Sequence, residues 1–517
     1  MPAQASCAVR HSRLMSPEPA AGAGGDDAAT EPCDLTAVGA RRLIGAGRLS
    51  PVELLESCLA RADATDPAVN ALVTRDDAAA RDAALGPLHG LPVAVKDIQA
   101  AAGLPTTFGA VPFADNVAAV DDPIVRRIRD AGAVVVGKTN TPELSIGANT
   151  VNRLFGATGN PYDIERTCGG SSGGSAVAVA CGMAPLATGS DHGGSLRIPA
   201  AYCGVVAHRS TPGTVPLENR TITRTNYSVQ GPLARTVADA ALLLSVMVRR
   251  DRDSRRDPMA FPIAPEAAAR FADLATADPG GLRVGVSADL GGLLVSAEVR
   301  AAFDDRVRRL AAAHLCEVVE PAVDLRDAPA VDWQLRADVF ATQYHRSIDR
   351  FDEGFNPNVR RTYETALEST VLDVARARRR QSELSAHFDA VFDDCDVLLC
   401  PGVSVPPFDW RHLYPPEIDG TPVENYMAWL GLSASLTVVG HPVVALPCGT
   451  DDAGLPFGVQ LAGPCYSDLR LLETAAALEA VFDADPATAR PTPDLDYLAT
   501  ARSTCRTEGK LVADGNG

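Results

Sequence analysis

The chain is predicted to fold as an α/β protein in which helices layer over a central sheet. Between residues 88 and 215, strand-like runs alternate with glycine-rich loops: "GLPVAVKD", "AGAVVVGKTN", "SAVAVACGMAPLATGSD" and "CGVVAHR". Helical stretches lie between them, as in "DDPIVRRIRDAG", or follow, as in "TVADAALLLSVMVRR". A hydrophobic content of 46% over 517 residues is enough to bury a substantial core.

In chain order, residues 1–32 are rich in Ala, Gly, Pro and Asp and read as a loose tail without the apolar stretch of a signal peptide. "LSPVELLESCLARADA" follows as a helix: Ser50 caps it, Pro51 suits its first turn and Glu53 completes a capping box. Past about residue 250 the pattern loosens into "RRDRDSRRDP". A helical region then spans 295–395, ending in the strongly amphipathic "YETALESTVLDVARARRRQSELSAHFDAVFDD". Two strand-like runs come next, "CDVLLCPGV" and "HPVVALPCGT", then a last helix, "LRLLETAAALEAVF". Residues 503–517 read as a loose tail, so 33–502 is taken as one domain with neither an internal repeat nor a clean linker.

Composition excludes several function classes. A formal charge of −18 argues against a nucleic-acid grip, which needs a basic face. No uninterrupted run of about 18 apolar residues suggests a membrane span. The 12 cysteines form no C-x-x-C pair, so neither a zinc framework nor a disulfide scaffold is signalled, and a reduced, cytoplasmic enzyme is expected.

Gly132–Thr139, "GAVVVGKT", matches the phosphate-loop pattern G-x-x-x-x-G-K-[ST]. Its surroundings contradict that reading. The four residues between the glycines are β-branched or apolar and favour a strand, while "RRIRDA" before Gly132 is the end of a helix stopped by glycine. The order is helix, glycine, strand, whereas a phosphate loop needs strand, loop, helix. Lys138 is therefore read as structural.

The chemistry is expected just downstream. Residues 167–200 hold two glycine-wrapped serine sites, Gly169-Gly170-Ser171-Ser172-Gly173-Gly174 and Gly193-Gly194-Ser195. Glycine lets the backbone approach a ligand closely, and amides freed in such loops can converge on an anion. A serine there has the surroundings of a nucleophile beside an oxyanion hole. The apolar text between the two clusters argues against a flexible linker. No histidine shows a companion pattern and no G-x-S-x-G elbow is present, which turns attention to lysine as the base. Lys96 ends the apolar strand "GLPVAVKDI", where burial would push its pKa down toward neutrality. Asp97 would oppose this if close, but adjacent side chains on a strand point to opposite faces.

The text "GGSSGGSA…SDHGGSLRIP", residues 169–199, resembles the amidase signature family. So do "GLPVAVKD" with "GLPTTFGA", "AGAVVVGKTNTPEL", "LFGATGNPYD", "GPLARTVADAALLL", "DVLLCPG" and "GLPFGVQLAGP", which extend the likeness over about residues 34–485. The resemblance implies a layered α/β/α fold: a large, mixed, twisted sheet with helices on both faces. It implies a catalytic core at about 88–245 and a variable pocket region at about 250–435. It also implies a Ser–cis-Ser–Lys triad with Ser195 as nucleophile, Ser171 as bridging acid/base and Lys96 as general base. In that assignment Ser172 is the neighbour of the bridging serine. The oxyanion hole would be the backbone N–H groups of His192, Gly193, Gly194 and Ser195, with Ser145, Gly147 and Ser171 touching substrate. No metal or cofactor is implied.

The expected activity is hydrolysis of a linear carboxylic amide of a small molecule through an acyl-enzyme. Acyl transfer, ester or carbamate cleavage, and ammonia release from glutamine within a tRNA-dependent amidotransferase are the alternatives. A homodimer is implied at family level only. Asp191 and Arg197 are expected to pair and stiffen the nucleophile loop, His192 to act through its backbone, and Cys168 and Cys203 to pack. Cys168, Ala207 and Ser210 depart from residues common in the family, but none is a triad position. Tyr426, Met427 and Trp429 are candidates for apolar pocket walls.

Overall fold

β-branched runs bounded by glycine and proline form the strands, and alternation along them divides the core in two. The structure is a computed structural model that describes residues 31–76, 86–345 and 355–513. The strands are β1 (Leu72–Arg75), β2 (Pro92–Lys96), β3 (Val134–Thr139), β4 (Val151–Asn152), β5 (Gly156–Ala157), β6 (Leu186–Asp191), β7 (Val206–Arg209) and β8 (Val229–Ala234). They continue with β9 (Arg283–Val286), β10 (Glu317–Val319), β11 (Val397–Pro401), β12 (Glu417–Ile418), β13 (Thr421–Pro422), β14 (Val443–Thr450) and β15 (Pro456–Ala462). Among the described residues one mixed 11-stranded sheet runs β1-β3-β2-β6-β8-β7-β14-β15-β11-β9-β10, and β4–β5 and β12–β13 pair separately.

Along β2, Val93 and Val95 join one apolar cluster while Ala94, between them, joins the other. The first cluster packs under helix α6 (Val237–Met247) and the second around helix α4 (Gly173–Ala180), so helices cover both faces. By the same alternation Lys96 shares the face of Ala94 and α4. β2 and β6 are parallel neighbours, with Val93 beside Leu186 and Ala94 beside Ala187. Their last residues, Lys96 and Asp191, therefore emerge at one edge of the sheet, the usual place for a site in such folds.

The helix at "LSPVELLES" forms as expected, spanning Pro51–Val69 with Ser50 and Glu53 closing a capping box. Two expectations change. "SAVAVACGMAPLATGSD" is not one strand-like run: Gly173–Ala180 is helical and only Leu186–Asp191 is extended. A run buried on every side carries no periodicity that separates strand from helix. The long amphipathic segment breaks into Pro357–Glu368 and Val371–Asp389, because Thr370 caps the second helix and forms a box with Asp373.

The end of the chain also differs from a loose tail. Cys505–Ala513 is a helix, with Cys505 and Val512 buried beside Val151, Ala157 and Trp410. Alternating small and polar residues hid its apolar face. The tail expected over residues 1–32 falls outside the described residues except at its last two positions.

Residues Gly132–Thr139 settle the phosphate-loop question. Helix α3 (Pro123–Asp130) ends before Gly132, and Val134–Thr139 is strand throughout, lysine and threonine included. A bulge in β3 between the partners of Val93 and Ala94 places Lys138 beside Val95 and Thr139 beside Lys96. Lys138 thus points away from Lys96. Its Nζ lies 3.2 Å from Asp97 Oδ1 and donates to the Pro105 carbonyl at 3.1 Å and Thr106 Oγ1 at 3.0 Å. Lys138→Met would strand the Asp97 carboxylate, and chemical denaturation is expected to show a loss of about 3–5 kcal/mol. Magnesium-ATP is expected to leave the melting temperature of the wild-type protein unchanged.

Candidate active site

Lys96 has no solvent exposure. Its Nζ lies 2.6 Å from Ser171 Oγ, 3.0 Å from Ser172 Oγ and 2.9 Å from Ser190 Oγ. Burial pushes the amine down to about 7, against the opposing pull of the Asp191 carboxylate. A neutral amine has two N–H donors and one lone pair, so three hydroxyls match its capacity and one of them can give its proton to nitrogen. Asp97 contributes nothing here, being turned to Lys138 on the other face.

Ser171 and Ser172 sit just ahead of α4, which packs on β2 and β6. The Gly170–Ser171 peptide is cis, the geometry implied by the resemblance. Ser172 is more than a neighbour of Ser171. Its hydroxyl meets Lys96, donates to the Ser190 carbonyl at 3.2 Å and accepts from the Ser190 amide at 3.3 Å. Ser190 is a site residue that sequence reasoning missed altogether. The available signal was alternation, since Ser190 shares a face of β6 with Thr188, whose hydroxyl accepts from the Lys96 amide at 3.2 Å.

Residues 192–196 join β6 to helix α5 (Arg197–Cys203), and Asp191 anchors the turn. Its carboxylate accepts from the amides of Gly194 at 2.8 Å and Leu196 at 3.2 Å, from Arg197 Nε at 2.9 Å and Nη2 at 3.0 Å, and from Arg209 Nη1 at 3.2 Å. Burial would raise this carboxyl, but the Arg197 and Arg209 guanidiniums overcome it and hold the group well below the usual range. Arg197 reaches on to Gln460 Oε1 at 2.8 Å and Thr437 Oγ1 at 2.9 Å, tying the loop to the core. Gly194 has φ +125, and a Cβ there would lie 2.5 Å from Ser433 Cβ, so no other residue fits without displacement.

The four amides expected to form an oxyanion hole are not equivalent. The Gly194 N–H is taken by Asp191. Those of His192, Gly193 and Ser195 have no protein acceptor among the described residues. The His192 ring is kept neutral by burial and by the nearby Arg336 and Arg209, and its Nδ1 lies 2.9 Å from Ser228 Oγ. Burial pushes the Cys168 and Cys203 thiols up, away from reactivity.

Ser195, Gly193, Ser190 and His192 border a cavity of about 190 Å³. Ser145 and Gly147 line it too, Ser145 Oγ lying 3.0 Å from Thr141 Oγ1. Apolar wall comes from Ile146, Ile198, Phe340, Met427 and Leu430, with Tyr426 alongside. Trp429 is absent from this wall and packs edge-on against Phe408, with ring centroids 5.3 Å apart. Lys96 and Ser171 lie behind the cavity, linked to it through Ser190.

A family model described as Amidase matches residues 53–472. An acylamidase of Rhodococcus erythropolis is 34% identical over 453 residues, covering 85% of this chain and 93% of its own. A glutamyl-tRNA(Gln) amidotransferase component of Salinispora tropica is 35% identical over 498 residues, covering 87% of this chain and 98% of its own. Among solved structures, a bacterial aryl acylamidase of the amidase signature family superposes with a TM-score of 0.78 at 25% identity, covering 90% of this chain and 98% of its own. A 6-aminohexanoate cyclic dimer hydrolase superposes at 0.74 with 28% identity, covering 89% and 98%. The match across most of the length, on a mixed sheet carrying the glycine-wrapped serines at one edge, establishes that this chain belongs to the amidase signature family.

Proposed function

We propose that the protein hydrolyses a carboxylic amide of a small molecule through an acyl-enzyme on Ser195. The observation that carries this is the buried Lys96 amine, 2.6 Å from Ser171 Oγ and held near neutrality behind the Ser195 loop. Neutral Lys96 takes a proton from Ser171, which takes one from Ser195 as the Ser195 oxygen attacks the amide carbon. The negative charge that develops on the carbonyl oxygen is met by the amides of His192, Gly193 and Ser195, which are fixed before reaction by the Asp191 anchor. Ser171 gives its proton to the departing nitrogen and is reprotonated by Lys96, which becomes neutral again; the C–N bond breaks, and the amine leaves. Water then attacks the ester, losing its proton along the same relay, and that proton returns through Ser171 to the Ser195 oxygen as the C–O bond breaks and the acid is released.

Ser172 and Ser190 hold the amine in line rather than relaying protons, because both are tied to each other through backbone as well as to Lys96. The similarity to an acylamidase and to an aryl acylamidase supports the amide as the bond cleaved. The same ester intermediate would yield to other nucleophiles, so esters and carbamates are secondary substrates of this reading.

Turnover of primary amides, anilides, C-terminally amidated short peptides, carbamates and esters, followed by mass spectrometry, tests it directly. At least one class is expected to react, and Ser195→Ala to lower kcat/KM on the order of 10⁴-fold. No turnover, or an equally active variant, would sink the proposal.

The pH dependence follows from the base. Only neutral Lys96 accepts the proton, so kcat/KM is expected to rise with pH through about 7 and to fall away below it. Stability moves in the same direction: the unfolded lysine holds its proton above pH 7 and the folded one does not, so folding is favoured as pH rises from about 7 toward the ordinary lysine range. Lys96→Met is expected to abolish activity and to weaken that pH dependence of the melting temperature. An unchanged stability profile would remove Lys96 as the buried neutral amine.

A further inference from the structure

Arg336 lies in the helix Ala328–Tyr344, in the variable region where no motif is legible. Its side chain is 11% exposed and that of its partner Asp332 only 1%. The pair is one helical turn apart: Arg336 Nε donates to Asp332 Oδ2 at 3.2 Å, and Nη2 to Oδ1 at 3.2 Å and to Oδ2 at 3.1 Å. Asp332 thus occupies the Nε–Nη2 edge and leaves Nη1 outside the ion pair. The Tyr426 hydroxyl, on another wall of the cavity, lies close to the same guanidinium.

Two further observations place this guanidinium in the site. It borders the same cavity as Ser195, and among the described residues lining that cavity it alone carries a formal charge. It also packs against the nucleophile loop, since a Cβ built on Gly193 would lie 2.4 Å from Arg336 Nη2. Charge around the loop is unbalanced. Arg197 and Arg209 share the single Asp191, and Arg336 has Asp332, so among the described residues three cations face two anions in a buried region. A guanidinium edge outside its ion pair presents N–H donors matched to a carboxylate, and the excess positive charge favours an anion there.

We propose that the substrate is an amide carrying a carboxylate a few bonds from the scissile carbonyl, and that Arg336 receives that carboxylate. The surrounding apolar wall sets the length of the chain between the two groups. A ligand bearing an ammonium beside its carboxylate gains less, because it brings a positive charge into the same positive surroundings. The inference rests on the amidase reading of the site, and the experiment below separates the two.

Three five-carbon ligands distinguish the alternatives: the monoamide of pentanedioic acid, glutamine, which adds an ammonium to it, and pentanamide, which lacks the carboxylate. Their binding is measured by calorimetry on the Ser195→Ala protein, where turnover cannot interfere. The monoamide is expected to bind about tenfold or more tightly than pentanamide, and more tightly than glutamine. Arg336→Met is expected to erase that preference. Because this variant strands buried Asp332, Arg336→Met with Asp332→Asn is measured beside it, with a thermal melt to show that the fold persists.

Equal binding of the monoamide and pentanamide, a preference that survives in the folded double variant, or no binding of any ligand would overturn the proposal. Turnover by the wild-type protein is followed in parallel. Ser195-dependent hydrolysis without charge preference overturns the role of Arg336 and leaves the amidase reading standing. Absence of Ser195-dependent hydrolysis of any amide overturns the amidase reading, whereas the binding ratios report on Arg336 alone.

Discussion

A lysine amine with no access to water, surrounded by three serine hydroxyls, is the constraint around which the rest of the site is organised. An ammonium in that position would lack the hydration it has in solution, so burial favours the neutral amine. The counterweight is the Asp191 carboxylate, and two arginines already neutralise it. The ion cluster beneath the Ser195 loop fixes that loop and gives the carboxylate, one strand away from Lys96, partners of its own.

Asp191 also decides which amides of the loop are engaged. By accepting from Gly194 and Leu196 it curls the backbone, and the N–H groups of His192, Gly193 and Ser195 have no acceptor among the described residues. Glycine is required at 194 because φ is positive and Ser433 leaves no room. The cost of ordering these donors is met during folding, as the proposed chemistry requires. Lys138 and Asp97 form a comparable buried pair on the opposite face, where a bulge turns the second buried lysine away from the first.

Much of this was legible in residues alone. The strand ending in Lys96, the glycine-wrapped serines, the capped helix at Ser50 and the rejection of the phosphate loop all rest on local rules, namely alternation, capping and the conformational freedom of glycine. The opposite facing of Lys96 and Asp97 followed from the two-residue period of a strand. What misled was the run Gly173–Ala180, where burial on every side removed the periodicity, and the last helix, whose few apolar residues are spaced among small and polar ones.

The sequence by itself determined the chemical inventory: a lysine at a strand end, two serines in glycine loops, and an Asp and Arg beside them. Only the tertiary structure decided how those groups are balanced. Ser190 reaches Lys96 because two parallel strands end at one edge, Gly194 loses its amide to Asp191, and Arg336 arrives at Gly193 from far along the chain. Each depends on distances between segments far apart in sequence. Local pattern carries no record of such distances, because side-chain period and turn chemistry report only on neighbours within a few residues.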